Sequence, residues 1–187
     1  MIEHASVINH AYNIIHKAHV VAGDVILQFS PLVFDAFVEQ FTMALFTGST
    51  LVIPSKEELL NNTANIVREY KVTHLDAVPA FLSELELDDY EFKCVISGGD
   101  KCSLNLAKKY KNLINDYGPT ETTISAVQYS ITDLDYLSSL TNIPIGTPIA
   151  NVTCYILDQK QQLLPIGVIG ELYIGGAGVA RGYLNQP

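Results

Sequence analysis

The sequence predicts an α/β protein, with a parallel sheet flanked by helices and then the start of a β-rich, barrel-like subdomain. Up to residue 141, segments with helical spacing alternate with short β-branched apolar runs, which is typical of a parallel sheet covered by helices. Beyond that point proline and glycine interrupt the apolar runs and helical periodicity disappears. We therefore predict an α/β subdomain over residues 1–141 and a truncated β-rich subdomain over residues 142–187.

The individual elements follow from apolar spacing and from residues that begin or end helices. The predicted helices cover residues 5–20, 34–46, 63–70 and 79–85. Gly48 is a natural stop for the second helix, and Pro79 is favourable at the start of the fourth. The predicted strands cover residues 25–29, 50–53, 72–78 and 92–97, and later β-type runs cover 152–157 and 171–174.

Composition excludes several classes of protein. With 187 residues, 48% hydrophobic and 17% charged, the chain is globular. A net charge of -9 argues against nucleic-acid partners and against an anionic membrane surface. No apolar run approaches the ~20 residues that span a bilayer. Three cysteines without CxxC spacing, and no basic-then-apolar leader, favour a cytoplasmic protein over a secreted or zinc-stabilised one.

The stretch at residues 115–123, Asn-Asp-Tyr-Gly-Pro-Thr-Glu-Thr-Thr, has the side chains of a nucleotide site. Its glycine and proline favour a defined turn after an apolar run. Such a turn presents Tyr117 as a stacking face, Thr120 as a phosphate donor and Glu121 as an oxygen ligand for Mg²⁺. From residue types alone, a surface turn with an exposed glutamate is an equally good interpretation.

Asp35 and Glu39 lie four residues apart on the second predicted helix, so both carboxylates share one face. A solvated acidic face is the plain interpretation of such a pair. The apolar residues around the pair, which include Phe34 and Phe41, argue against full exposure.

Asp76 interrupts an otherwise apolar strand, and an unpaired buried carboxylate costs several kcal/mol. Asp76 therefore needs a partner, and His74, two residues away on the same strand face, is one candidate. Asp116 in the 115–123 stretch is either a turn former or a further acidic member of the site.

Two weaker patterns do not support a site. The glycine-rich run at residues 175–182 follows a strand, but Arg181 replaces the third glycine of the dinucleotide pattern GxGxxG. His16 and His19 share a helix face, yet no carboxylate or cysteine accompanies them at metal-ligand spacing.

The 115–123 stretch, followed by Gly-Glu-Leu-Tyr-Ile-Gly-Gly-Ala-Gly-Val-Ala-Arg-Gly-Tyr-Leu at residues 170–184, resembles the adenylation domains of nonribosomal peptide synthetases. The second motif matches that family's pattern at every fixed position. Three further motifs, at residues 34–36, 96–99 and 144–148, occur in the family's order and approximate spacing. The resemblance covers essentially the whole chain.

This resemblance implies a reaction in which an amino acid's carboxylate attacks the α-phosphate of ATP, giving aminoacyl-AMP and pyrophosphate. The acyl group then passes to the phosphopantetheine thiol of a peptidyl carrier domain. By resemblance, Asp35 binds the α-ammonium, Asn115 and Tyr117 hold the adenine, and Thr120 and Glu121 are the catalytic pair, on phosphate and Mg²⁺. The implied nucleotide-binding residues are Gly98, Gly99, Asn115, Asp116, Tyr117, Gly118 and Thr120.

The family's substrate pocket implies a cationic amino acid here. The pocket positions correspond to Asp35, Ala36, Glu39, Asp76, Ile96, Gly98, Asp116, Ile124 and Ser125. Three of them are acidic besides the aspartate for the α-ammonium, so we expect a substrate such as lysine, ornithine or arginine.

Some family features fall outside these 187 residues. The phosphate loop with its lysine is expected before Met1, and the ribose-binding aspartate and the C-terminal catalytic lysine after Pro187. We therefore expect the isolated chain to need the remaining adenylation-domain segments as partners and to be inactive alone. Phe37 also replaces a residue that is usually small.

Two alternatives remain: a ligase that activates aryl or fatty acids for coenzyme A, and a non-catalytic remnant or interaction module. Asp35 separates the first from the main hypothesis, because a substrate without an α-ammonium does not need a carboxylate there.

Overall fold

The computed structural model describes residues 1–186 and contains a seven-stranded sheet in the order β2-β1-β3-β4-β5-β6-β7. The parallel part consists of β1 (Val25–Leu27), β2 (Thr50–Val52), β3 (His74–Ala77), β4 (Cys94–Ser97) and β5 (Leu113–Tyr117). Two antiparallel strands, β6 (Val127–Ser130) and β7 (Thr147–Pro148), extend it. The predicted fold class, a mostly parallel sheet flanked by helices, is confirmed.

Six helices accompany the sheet in the described residues. They are α1 (His4–Lys17), α2 (Ala36–Thr47), α3 (Lys56–Tyr70), α4 (Pro79–Glu84), α5 (Leu104–Lys109) and α6 (Leu134–Ser138). As predicted, α2 ends at Gly48, whose φ of 71° is left-handed. None of the helices within residues 1–186 has the length and apolar character needed to cross a membrane.

The predicted start of α3 is wrong, since the helix begins at Lys56 rather than at residue 63. Ser55 and Glu58 form a capping box, in which each side chain bonds the other's backbone N–H. A non-helical residue, Asn62 (φ -143°, ψ 17°), then kinks the helix. The kink shifts the apolar stripe between the two halves, so a single helical period does not fit the whole segment.

Apolar side chains cover both faces of the sheet. Consecutive strand residues point to opposite faces, so Ile26 packs with the α1 and α2 layer while Leu27 packs with the layer of α3, α4 and α5. In β5, Leu113 likewise packs with the layer of α3, α4 and α5, and Ile114 packs with the layer of α1 and α2. A sheet buried on both faces leaves its strand ends as the accessible polar edge.

The β-rich part contains one antiparallel hairpin, β8 (Val152–Leu157) with β9 (Glu171–Gly176). The seven-stranded sheet takes in β7, which lies beyond the predicted division after residue 141. The division into two subdomains stays a prediction.

Gln40 in α2 connects the helix layer to two strand ends, and its side chain is fully buried. Its Oε1 accepts from the backbone N–H groups of Phe29 and Ser30, both at 3.0 Å, and from Gln28 Nε2 at 2.6 Å. Its Nε2 donates to Asp76 Oδ2 at 2.7 Å and to the Asp76 carbonyl at 3.0 Å. One amide thus holds the segment after β1 and the end of β3 against α2.

Replacing Gln40 with leucine should lower the free energy of unfolding by about 3 kcal/mol, because several buried polar groups lose their partner at once. Urea denaturation of the chain measures this. Gln162→Leu is the control, since Gln162 is exposed and the same change there removes no buried amide. An equal loss in both variants would contradict the role given to Gln40.

Candidate functional site

A cavity of about 570 Å³ opens at the carboxyl ends of β1, β3, β4 and β5. Four carboxyl groups line it: Asp35, Glu39, Asp76 and Asp116. Of the other predicted substrate positions, Ala36, Gly98 and Ile124 also line it. The sheet therefore brings together residues that are up to 89 positions apart in sequence (35 to 124).

Two predicted substrate positions lie behind the wall of this cavity. Ile96 is 1% exposed and packs in the apolar layer with α1 and α2. Ser125 is fully buried and donates its hydroxyl hydrogen bond to Asp116 Oδ2. Both shape the cavity indirectly.

Asp35 lies at the N-terminal end of α2 and is half-buried. Its Oδ2 accepts a hydrogen bond of 2.6 Å from the hydroxyl of Thr120. The residue predicted to hold an α-ammonium thus contacts the residue predicted to hold a phosphate.

Glu39 is paired with His10, a residue of α1. The distance between His10 Nε2 and Glu39 Oε2 is 2.7 Å, and each side chain is 1% exposed. Burial raises the pKa of Glu39 well above its usual value, and the nearby carboxylates of Asp116 and Asp35 raise it further. Burial also lowers the pKa of His10, which keeps its imidazole neutral.

The partner of Asp76 is Gln40, so the prediction that His74 pairs with it is wrong. His74 reaches away from the cavity, with Nε2 3.0 Å from the Ala18 carbonyl and Nδ1 2.8 Å from Thr73 Oγ1. Burial is the largest cause that raises the pKa of Asp76 well above its usual value, followed by the charge of Glu39.

Asp116 completes the acidic wall. Burial raises its pKa, against the hydrogen bond from Ser125 that lowers it. A side-chain hydrogen bond with Gln128 on β6 also lowers it.

A second cavity of about 370 Å³ adjoins the first, and the two share Gly99, Asp116 and Gly118. Asn115, Tyr117, Ile143 and Ile145 also line it. The side chain of Asn115 is buried and donates to the Pro144 carbonyl at 2.8 Å, which fixes one wall. Tyr117 is 41% exposed, so its ring has a free face.

The turn after β5 is tightly constrained. A Cβ on Gly118 would lie 2.4 Å from the Ile124 carbonyl oxygen, so only glycine fits. Thr123 and Ile124 have left-handed φ values of 63° and 68°, at a cost of roughly 1–3 kcal/mol each. A 2.7 Å hydrogen bond from Thr123 Oγ1 to the Gly178 carbonyl helps to hold them.

The glycine-rich segment after β9 packs on this turn. A Cβ on Gly178 would lie 2.4 Å from the Thr122 carbonyl oxygen, so the close approach requires glycine. The Ala180 N–H donates to the Glu121 carbonyl at 2.8 Å, and the Tyr183 hydroxyl donates to Glu121 Oε1. The hydrogen bond from Tyr183 is the first cause that lowers the pKa of the Glu121 carboxyl.

Three residues at the site were not predicted from the sequence: His10, Gln40 and Tyr183. For Gln40 there was one indirect indication in the sequence: a buried Asp76 needs a hydrogen-bond partner, and the structure shows that this partner is Gln40. No group of three or more His, Cys, Asp and Glu side chains within residues 1–186 is arranged to hold a metal ion.

This α/β fold places two adjoining cavities at one edge of its sheet, and comparison with known proteins gives the family. The model of the AMP-binding enzymes matches residues 1–184. The chain belongs to this family, and it is an adenylation-domain sequence of the nonribosomal peptide synthetase type.

Individual relatives agree with this placement. Bacitracin synthase 3 of Bacillus licheniformis is 37% identical over 100% of this chain, which spans 3% of that protein. The crystal structure of the nonribosomal peptide synthetase FmoA3 superposes with a TM-score of 0.90 at 28% identity, over 100% of this chain and 22% of FmoA3. The crystal structure of a four-domain nonribosomal peptide synthetase bound to AMP and glycine superposes with a TM-score of 0.86 at 29% identity. The match covers 97% of this chain and 14% of the synthetase chain.

Replacing Tyr183 with phenylalanine should raise the pKa of Glu121, because the carboxylate loses the hydrogen bond that stabilises its charged form. Carbon-13 NMR titration of the glutamate carboxyl groups measures the shift. Tyr155→Phe on β8 is the matched control, because the Tyr155 hydroxyl makes no hydrogen bond to the described residues. An unchanged Glu121 titration in Tyr183→Phe would refute the contact.

Proposed function

We propose that this chain is the substrate- and nucleotide-binding part of an adenylation domain that activates a basic amino acid as aminoacyl-AMP. The activated acyl group would be loaded onto the phosphopantetheine thiol of a carrier domain. The proposal is carried by one arrangement: Asp35 contacts Thr120 at the mouth of a cavity whose wall holds three further carboxyl groups.

The contact between Asp35 and Thr120 supports adenylate formation. In an amino acid one carbon separates the ammonium from the carboxylate, so an ammonium on Asp35 places the carboxylate beside Thr120. A phosphate held by the Thr120 hydroxyl then lies next to the attacking oxygen. Much of the acceleration in such a reaction comes from this positioning.

The second cavity suits the nucleotide. Ile143 and Ile145 offer apolar contacts to a base, and the ring of Tyr117 offers a stacking face. Gly99, shared by both cavities, has no side chain to separate its backbone from the phosphates. ATP bound there would extend its phosphates toward Thr120.

Glu121 is the residue that would hold Mg²⁺. Its side chain is exposed, and the hydrogen bond from Tyr183 keeps it ionised, so it offers a hard, charged oxygen. The metal, when bound, would offset the charge that develops on the phosphates. Tyr183 orients the carboxylate by occupying one of its oxygens.

The acidic wall supports a cationic side chain in the substrate. Glu39, Asp76 and Asp116 are all buried, and burial is the first cause that raises the pKa of each carboxyl group. No lysine or arginine lines this cavity within the described chain. A substrate ammonium or guanidinium would supply the missing cation.

Pyrophosphate exchange in the complete adenylation domain that carries this chain tests the substrate class. We expect kcat/KM for lysine, ornithine or arginine to exceed that for norleucine and for glutamate by at least about tenfold, since a paired charge is worth about 1.4 kcal/mol or more here. Preference for a neutral or acidic amino acid over every basic one would refute the assignment.

The isolated chain should bind ATP weakly and form no measurable aminoacyl-AMP, because the family's phosphate loop and catalytic lysine are not among its 187 residues. Hydroxylamine trapping of the adenylate measures this, with the complete domain as the positive control. Adenylate formation by the chain alone would show that these segments are dispensable.

A further inference from the structure

His10 is placed to act on the substrate pocket without touching it. It lies in α1, outside every motif that carries the family resemblance, and it does not line the 570 Å³ cavity. Glu39 stands between His10 and the cavity, with Oε2 2.7 Å from His10 Nε2. Both side chains are 1% exposed.

The surroundings of His10 are acidic on every side that faces the cavity. Glu39 and Asp35 face it from α2 and the residue before it, Asp76 from β3 and Asp116 from β5. On β4, burial raises the pKa of Cys94 to about 12, so that thiol is neutral. In this group of like charges, Glu39 has two neutral hydrogen-bonding neighbours, His10 and the side chain of Ser125.

Burial keeps the His10 ring neutral, and its contact with Glu39 is what places the proton. Because a buried histidine is held in its neutral form, one ring nitrogen donates and the other accepts. We assign the proton to Nε2, which then donates to the Glu39 carboxylate. A buried carboxylate next to other carboxylates and without a donor would take up a proton and lose its charge.

We propose that His10 is a positioning residue for substrate selection: its hydrogen bond fixes the Glu39 carboxyl group in the cavity wall, where that group faces a basic substrate side chain. This inference rests on the proposed function. His10 selects through Glu39 and makes no contact with the substrate itself.

The test compares His10→Leu with His10→Gln in the complete adenylation domain. The readout is the ratio of kcat/KM for the preferred basic amino acid to that for norleucine. Leucine fills space without donating, so the ratio should fall by about tenfold, mainly through a higher KM for the basic amino acid. Glutamine keeps an N–H donor, so the ratio should stay within about threefold of wild type.

Two further variants separate positioning from folding. His74→Leu is the matched control, because His74 is equally buried and joins α1 to the sheet, yet bonds the Ala18 carbonyl instead of an acidic residue. Its ratio should match wild type. In a Glu39→Gln background, His10→Leu should cause no further fall, because the residue through which His10 acts is already neutral.

Each outcome decides the inference. A fall with leucine, recovery with glutamine and no added effect in Glu39→Gln support it. An unchanged ratio in His10→Leu, or an equal fall in His74→Leu or in the Glu39→Gln background, overturns it. If wild type shows no preference for basic amino acids, the proposed substrate class fails; if wild type has that preference and His10→Leu keeps it, only the role of His10 fails.

Discussion

The constraint on which the site depends is that four carboxyl groups share one cavity without a lysine or arginine in its described lining. Each carboxyl group is hydrogen-bonded to at least one neutral side chain. These partners include Thr120 for Asp35, His10 for Glu39, Gln40 for Asp76 and Ser125 for Asp116. A buried charge without a donor costs several kcal/mol, so these four contacts set how α1, α2 and the strand ends are placed.

A second set of contacts connects the turn after β5 with the glycine-rich segment after β9. The strained turn at Thr123 and Ile124 presents an apolar wall to the substrate cavity and is held by the Gly178 carbonyl. The segment that supplies this carbonyl also supplies the Tyr183 hydroxyl to Glu121. Backbone strain at the site is thus balanced by contacts from residues about sixty positions further along the chain.

Local pattern was enough to predict the layers of the fold, and the family resemblance implied most of the cavity wall. Gly48 caps the C-terminal end of α2 in a left-handed conformation, as glycine often does. Asp35 and Glu39, predicted to share a helix face, line the same cavity. The failures are contacts between distant residues. Gln40 bonds Asp76 across 36 positions and His10 bonds Glu39 across 29, and no periodicity in the sequence encodes either pairing. The prediction missed the first half of α3 because the kink at Asn62 interrupts the helical spacing of its apolar residues.

The central claim is that this acidic wall binds a substrate cation. Titration calorimetry of the complete domain with lysyl- and norleucyl-sulfamoyl adenosine tests it directly, because both analogues carry the same adenosine, α-ammonium and four-carbon chain. The account predicts that the lysyl analogue binds at least about tenfold more tightly, a difference of about 1.4 kcal/mol. Equal affinities, or tighter binding of the norleucyl analogue, would contradict it.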